Sequence, residues 1–294
     1  MINVKPTADW SAVARRATAL MPAGPEVSPT YAAATVARLR AGARWSEGHL
    51  GELSGMPAEA RAVAATPVRV VDRRGYAVLL AELIDGEMPS APARPTWFGA
   101  RESLSMVKSL RRSSREALGF FLPTAPGPAR ILVAPNVLER AVDAQLDQGD
   151  YSRWVAVRCG LWGVIHTKAP WLVDMVRALM EDFLHEPEDL VRLVCLMDAS
   201  VSTCLATITP RQIPSVEWIR RRGPLPSGAS TLAGLPLGPS APDASSVYAE
   251  ALAFCGAASR DNPEWLSRML SSPDALPTFD EMARPDAWRR RVGA

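Results

Sequence analysis

Residues Tyr151 to Thr167 are the stretch that most constrains this chain. They form an apolar run at helical spacing, with Val155-Ala156-Val157-Arg158-Cys159-Gly160-Leu161-Trp162 at its centre. Arg158, Trp162 and His166 fall at i, i+4 and i+8, so a helix places all three on one face. Arg stays protonated and has no lone pair to donate, and Trp has no usable one. That face therefore cannot ligate a metal through Arg158 and Trp162. Lys168-Ala169-Pro170-Trp171-Leu172 follows the run and starts another helix, since Pro is tolerated where a backbone N–H is not needed.

Most of the chain reads as helix. Pro29 to Trp45 carries an amphipathic stripe of Ala33, Val36, Ala37 and Leu39. Trp97 to Phe121 predicts a longer helix with Leu104, Val107, Leu110 and Leu118 inward. Its outer face holds Arg111, Arg112 and Arg115, which read as a solvated face, with an anion site as the minority reading. Two short strands are expected, at Pro67 to Asp72 and Arg130 to Ala134, and Asn136 is a candidate N-cap for a helix after the second. Tyr151–Thr167, Pro170–Leu184 and Glu188–Ile208 predict three successive helices. Pro and Gly gather at 85–95, 122–128 and 223–243, and 223–247 is the expected mobile loop. No alternating βαβ pattern is visible, so the fold class is mainly α with a small sheet, an α+β arrangement. The chain reads as one unit over 1–294, with a subdivision into a helical part at 1–128 and a core at 129–294.

Composition excludes several function classes. A net charge of +2 gives no nucleic-acid footprint. No apolar run reaches the length of a membrane span, and no leader pattern opens the chain, so a cytoplasmic location is expected. Cys159, Cys195, Cys204 and Cys255 show neither C-x-x-C pairing nor metal-site spacing. All four read as buried and inert, because a reactive thiol needs a base or a positive field. There are three histidines: His49 in a Gly-flanked turn, His166, and His185 near a helix end, where a cation suits the dipole. Ser200 and Ser202 have no visible triad partners.

Several blocks resemble a known family in order and spacing. They include Asp9-Trp10, Gly24-Pro25-Glu26-Val27-Ser28, Val70-Val71-Asp72-Arg73 and Leu132-Val133-Ala134-Pro135-Asn136. After the central run come Cys195-Leu196-Met197-Asp198-Ala199-Ser200, Pro214-Ser215-Val216-Glu217-Trp218-Ile219-Arg220, and the terminal block from Ser272-Pro273-Asp274-Ala275 to Trp288. The frame is similar to the zincin-like metallopeptidases of actinobacteria associated with deazaflavin-coenzyme biosynthesis. In that family the central helix carries His-Glu-x-x-His, whose two His grip zinc while the Glu activates the bound water. The resemblance places Arg158 and Trp162 at the His positions and Cys159 at the Glu position. It places Asp198 at the acidic residue of the later helix, and Ser200 where the family has His. It thus implies a zincin-like fold whose peptidase chemistry has been removed.

Two readings of the former metal position remain open. In one, Arg158 and Asp198 form a structural ion pair, the Arg neutralising an acid left without its metal, and Trp162 fills the vacated volume. In the other the pocket is repurposed without metal or cofactor. Arg158, Trp162 and Ser202 would bind a small anionic or amino-acid-like ligand, Asp198 or His166 would take a proton, and Arg158 would hold a departing anion in an elimination or ring closure. The first hypothesis for function is a metal-free subunit of a heteromeric biosynthetic enzyme. The second is a non-catalytic pseudoenzyme that stabilises or regulates a protein partner. A metal bound elsewhere is a third, disfavoured by the scarcity of His.

Overall fold

The computed structural model describes residues 10–19, 21, 24–87, 99–123, 127–182, 187–223, 242–260 and 262–293. Its helices are α1 (Trp10–Ala19), α2 (Pro29–Glu47), α3 (Leu50–Ser54), α4 (Pro57–Ala64), α5 (Arg73–Glu87), α6 (Gly99–Glu116), α7 (Ala134–Asp143), α8 (Gln148–Lys168), α9 (Trp171–Asp182), α10 (Pro187–Ala206) and α11 (Val216–Arg222). After residue 241 come α12 (Ala244–Ala258), α13 (Trp265–Met269), α14 (Phe279–Met282) and α15 (Pro285–Val292). Three strands, β1 (Val68–Val71), β2 (Gly119–Leu122) and β3 (Ala129–Val133), form a sheet of order β1-β3-β2. The fold is mainly helical with a small mixed sheet, as the sequence predicts.

Helix α8 is the axis of the core. Thirteen of its 21 residues are buried, including Tyr151, Trp154, Val155, Val157, Leu161 and Val164. It packs against α2, α4, α10 and the strands β2 and β3. Asp147 caps its start by accepting from the Asp150 N–H at 2.8 Å. Close approach requires glycine at two places. A Cβ at Gly163 would lie 2.8 Å from Phe121 of β2, and one at Gly42 of α2 would lie 2.8 Å from the Ser152 carbonyl oxygen. The absent side chains let the helix settle onto the sheet and onto α2.

Strand β3 is buried along its whole length and pairs with both neighbours. β1 runs parallel to it, Val68 opposite Arg130 and Val71 opposite Val133. β2 runs antiparallel, Gly119 opposite Leu132 and Leu122 opposite Ala129. The helix expected over Trp97–Phe121 therefore ends at Glu116, and residues 119–122 are strand. Leu104, Val107, Leu110 and Leu118 continue a helical period past the true end, and the aromatic pair Phe120-Phe121 is too short to announce a strand. The parallel β1–β3 pair was likewise not expected; it is closed by the α5, α6 and β2 crossover.

Asn136 is not an N-cap. It sits inside α7, whose cap residue is Val133. Its buried carboxamide accepts from Arg73 Nε at 2.6 Å and donates to the Ser114 and Ala117 carbonyls at 2.8 and 2.6 Å. The side chain ties α5, the end of α6 and α7 together, with both its amide donors and its oxygen engaged in tertiary contacts.

The main hydrophobic cluster runs across residue 128 without a break, from Leu39, Leu50 and Val63 to Val157, Leu196, Phe254 and Trp288. A smaller cluster joins α1, α5 and α6 through Ala17, Ala77, Ala81, Val107 and Leu110. Of the loop expected at 223–247, residues 224–241 lie outside the described residues, and Ala244 to Val247 already belong to α12. His185 also lies outside the described residues. No helix among the described residues is long and apolar enough to cross a membrane.

Candidate functional site

Arg158 leaves the middle of α8 toward α10, and its Nη2 donates to Oδ1 of Asp198 in a short contact. The pair is deep: the Asp198 side chain is 1% exposed and that of Arg158 15%. A carboxylate this far from water is stable as an anion only beside a cation and hydrogen-bond donors. The guanidinium supplies both.

Cys159 points elsewhere, because neighbouring helix positions are turned about 100° apart. Its Sγ donates to the Phe120 carbonyl at 3.2 Å, facing the sheet rather than Asp198. Burial pushes the thiol up to about 12, so it stays protonated. The other three cysteines are buried too, and burial pushes each up to about 12.

His166 shares the Arg158 face but sits two turns on, about 12 Å along the axis. Its ring lies between Phe121 and Trp162, with centroids 6.0 and 6.1 Å away. Desolvation lowers its pKa to about 4, so the ring is neutral at pH 7. Trp162 is partly buried and packs against the main core. Ser202 is bound by a residue that sequence reasoning missed: the Tyr248 hydroxyl of α12 donates to its Oγ at 2.9 Å. Burial first, and then the charge of Asp198, raise the Tyr248 pKa, whereas the Ser202 hydrogen bond and the charge of Arg158 lower it. Ser200 donates to the Leu196 carbonyl at 2.8 Å and lies 3.5 Å from Cys255 Sγ.

Tyr151 was missed as well. It is fully buried one helical stretch before Arg158, and its hydroxyl has no hydrogen-bond partner among the described residues. Burial raises its pKa, while the charges of Arg140 and Arg158 pull the other way. Tyr248 had no spacing signal, because helix packing brings it near the pair; Tyr151 stands seven residues before Arg158 on α8, a helical spacing that could have found it.

The structure thus brings Arg158, Asp198, Ser202 and Tyr248 to the α8–α10–α12 junction and leaves His166 at the sheet end of α8. Zinc does not fit this arrangement. Arg158 and Trp162 carry no lone pair to give an ion, and Cys159 is turned to the sheet. Among the described residues, no three His, Cys, Asp or Glu gather closely enough to share an ion.

Comparison with known proteins agrees with this frame. Residues 104–193 match the family model of zincin-like metallopeptidases. The match spans β2, β3 and the whole of α8 and stops just short of Asp198. A crystal structure from Chloroflexus aurantiacus, provisionally described as a hydrolase with a novel fold, superposes with a TM-score of 0.66. It is 19% identical over 97% of this chain and 98% of that one, a likeness of fold. No curated protein matches.

The blocks that carry the sequence resemblance are the joints of this frame. Ser215 donates through its N–H and its hydroxyl to Asp150 Oδ2, at 2.9 and 2.8 Å, pinning α11 to the start of α8. Arg73 reaches Asn136, joining the Val70–Arg73 and Leu132–Asn136 blocks. Trp288 Nε1 donates to the Ala275 carbonyl at 2.8 Å, joining the two ends of the terminal block.

Proposed function

We propose that this chain is a metal-independent, non-proteolytic zincin-like protein that serves as a subunit of a heteromeric biosynthetic enzyme. The Arg158–Asp198 pair carries the reading. By the resemblance it stands where a peptidase of this kind would hold its ion, and the guanidinium neutralises the buried acid.

Of the two roles such a subunit could have, the geometry favours the supporting one. Ring closure or elimination at this position would need Asp198 to reach a substrate proton, and Asp198 is sealed behind Arg158. His166 is too weak a base at its pKa of about 4 and lies two turns away. The Ser202 oxygen is already held by Tyr248. The chain acts as a pseudoenzyme that stabilises or regulates its catalytic partner in the handling of a small charged, amino-acid-like substrate. The catalytic version keeps one argument: the Arg158 side chain retains 15% exposure, and a guanidinium suits an anion.

Co-expression with the proteins encoded beside it, followed by mass determination, tests the assembly. A stable hetero-oligomer supports the reading, and a monomer in every combination overturns it. In that complex, Arg158→Ala and Asp198→Asn separate the roles. Reduced melting temperature with proportionate loss of activity supports scaffolding. Abolished activity at an unchanged melting temperature assigns the pair to catalysis.

A further inference from the structure

A shallow polar depression of about 340 Å³ lies away from the Arg158–Asp198 pair, between the end of α6, the outer face of α7 and the end of α11. Its volume is at the small end of the range for metabolite sites. Arg115, Arg140 and Arg222 contribute cations, and Glu116, Glu139 and Asp143 contribute acids.

The charges are not equivalent. Glu116 accepts from Arg112 Nε at 3.0 Å, and Glu139 is bound by the buried Arg73. Among the described residues, Arg115, Arg140 and Arg222 have no carboxylate partner, and Asp143 has no cation. Three unneutralised guanidinium groups and one unneutralised carboxylate therefore face one concavity.

Two of the lining residues are held in place. Asn136 forms part of the lining and is locked by its contacts to Arg73, Ser114 and Ala117. Arg222 is aimed by two contacts: Nη1 donates to Gln145 Oε1 at 3.0 Å, and its guanidinium lies 4.3 Å from the Trp218 ring centroid. Gln145 is the one non-glycine residue with positive φ (54°) among the described residues, and its carbonyl accepts from Trp218 Nε1 at 3.1 Å. A strained turn persists only where its surroundings hold it. Here it holds Arg222 and Trp218 beside the depression.

We propose that this depression binds a small amino acid bearing a second acidic group, its two acid groups taken by Arg115, Arg140 and Arg222 and its ammonium by Asp143. A planar guanidinium fork suits carboxylate or phosphate, and three of them against one carboxylate match a ligand with two acid groups and one amine. The site deepens the proposed function by naming a ligand class, but it does not depend on a partner. Binding by the isolated chain and assembly with a partner are separate measurements.

Isothermal titration calorimetry of the full chain at fixed ionic strength tests it with L-glutamate, O-phospho-L-serine and glutarate. At least one amino acid binds saturably and more tightly than glutarate, which lacks the ammonium. Arg115→Ala/Arg222→Ala, two exposed positions, weakens that binding about tenfold or more at an unchanged melting temperature, as expected when charged hydrogen bonds are lost. Asp143→Asn removes the preference over glutarate. Ligand also changes Trp218 emission through Arg222, and Trp218→Phe abolishes that change. Absence of saturation by about 10 mM, the millimolar regime where binding energy is near 3 kcal/mol, overturns the site. So does equal binding by the double-arginine variant, and an equal response to glutarate overturns the ammonium contact.

Discussion

The guanidinium of Arg158 crosses from α8 to α10 and closes on the carboxylate of Asp198, two residues forty positions apart. The contact explains how a fully buried acid stands at the α8–α10 junction. A helix of such burial tolerates an acid from its neighbour only if something positive meets it, and the long Arg158 side chain supplies it.

Breaking that pair from one side is expected to be costly. Arg158→Ala leaves a carboxylate at 1% exposure without its cation, so unfolding free energy falls by about 3–5 kcal/mol. Replacing both, as Arg158→Met with Asp198→Leu, recovers most of the loss, because apolar side chains of similar volume need no compensating charge. Urea titration of the three proteins measures this. Single and double variants of equal stability would contradict the burial argument.

His166 gives the chain an acid-sensitive joint. Its folded pKa of about 4 lies below the ordinary 6.5, so the unfolded chain binds its proton first as pH drops. The contribution is complete above about pH 6.5 and declines as pH falls toward 4. His166→Phe keeps the stack with Phe121 and Trp162 and removes the proton site. The variant's stability curve should be flatter over that window, and parallel curves would show that the ring titrates normally.

The four thiols should be silent in the native protein. Each is buried and protonated at neutral pH, with Cys159 donating to the Phe120 carbonyl. A chromogenic disulfide reagent at pH 8 labels none of them promptly under native conditions and all of them in denaturant. Rapid labelling of Cys159 in the folded chain would mean that the α8–sheet contact opens.

Ser215 should matter more than its size suggests. It gives two hydrogen bonds to one oxygen of Asp150, which is itself 7% exposed. Ser215→Ala removes the hydroxyl bond to a buried charge, at a cost of about 1.5–3 kcal/mol. Thermal denaturation reads the loss. A substitution without effect would show that Arg153, which also contacts Asp150 at 3.0 Å, satisfies the carboxylate alone.

The sequence by itself determined most of the helices and the lack of metal-donating groups at Arg158 and Trp162. Helical period depends on neighbours in the chain, so α2, α8, α9 and α10 were legible within a few residues of their ends. A guanidinium at Arg158 and an indole at Trp162 cannot donate lone pairs in any fold. The pairing of Arg158 with Asp198 was also within reach, through the resemblance of the two blocks.

Tertiary structure decided the rest, because contacts between distant segments leave no local period. Residues 119–122 became a strand since β3 offered an unpaired edge, although the sequence before them continues a helical stripe. Asn136 left its expected cap role once Arg73, Ser114 and Ala117 surrounded it. Tyr248 came to Ser202 only through the packing of α12 on α10. Arg115 read as part of a solvated face, and Arg140 and Arg222 carried no reading, until the ends of α6 and α11 met the outer face of α7 around one depression.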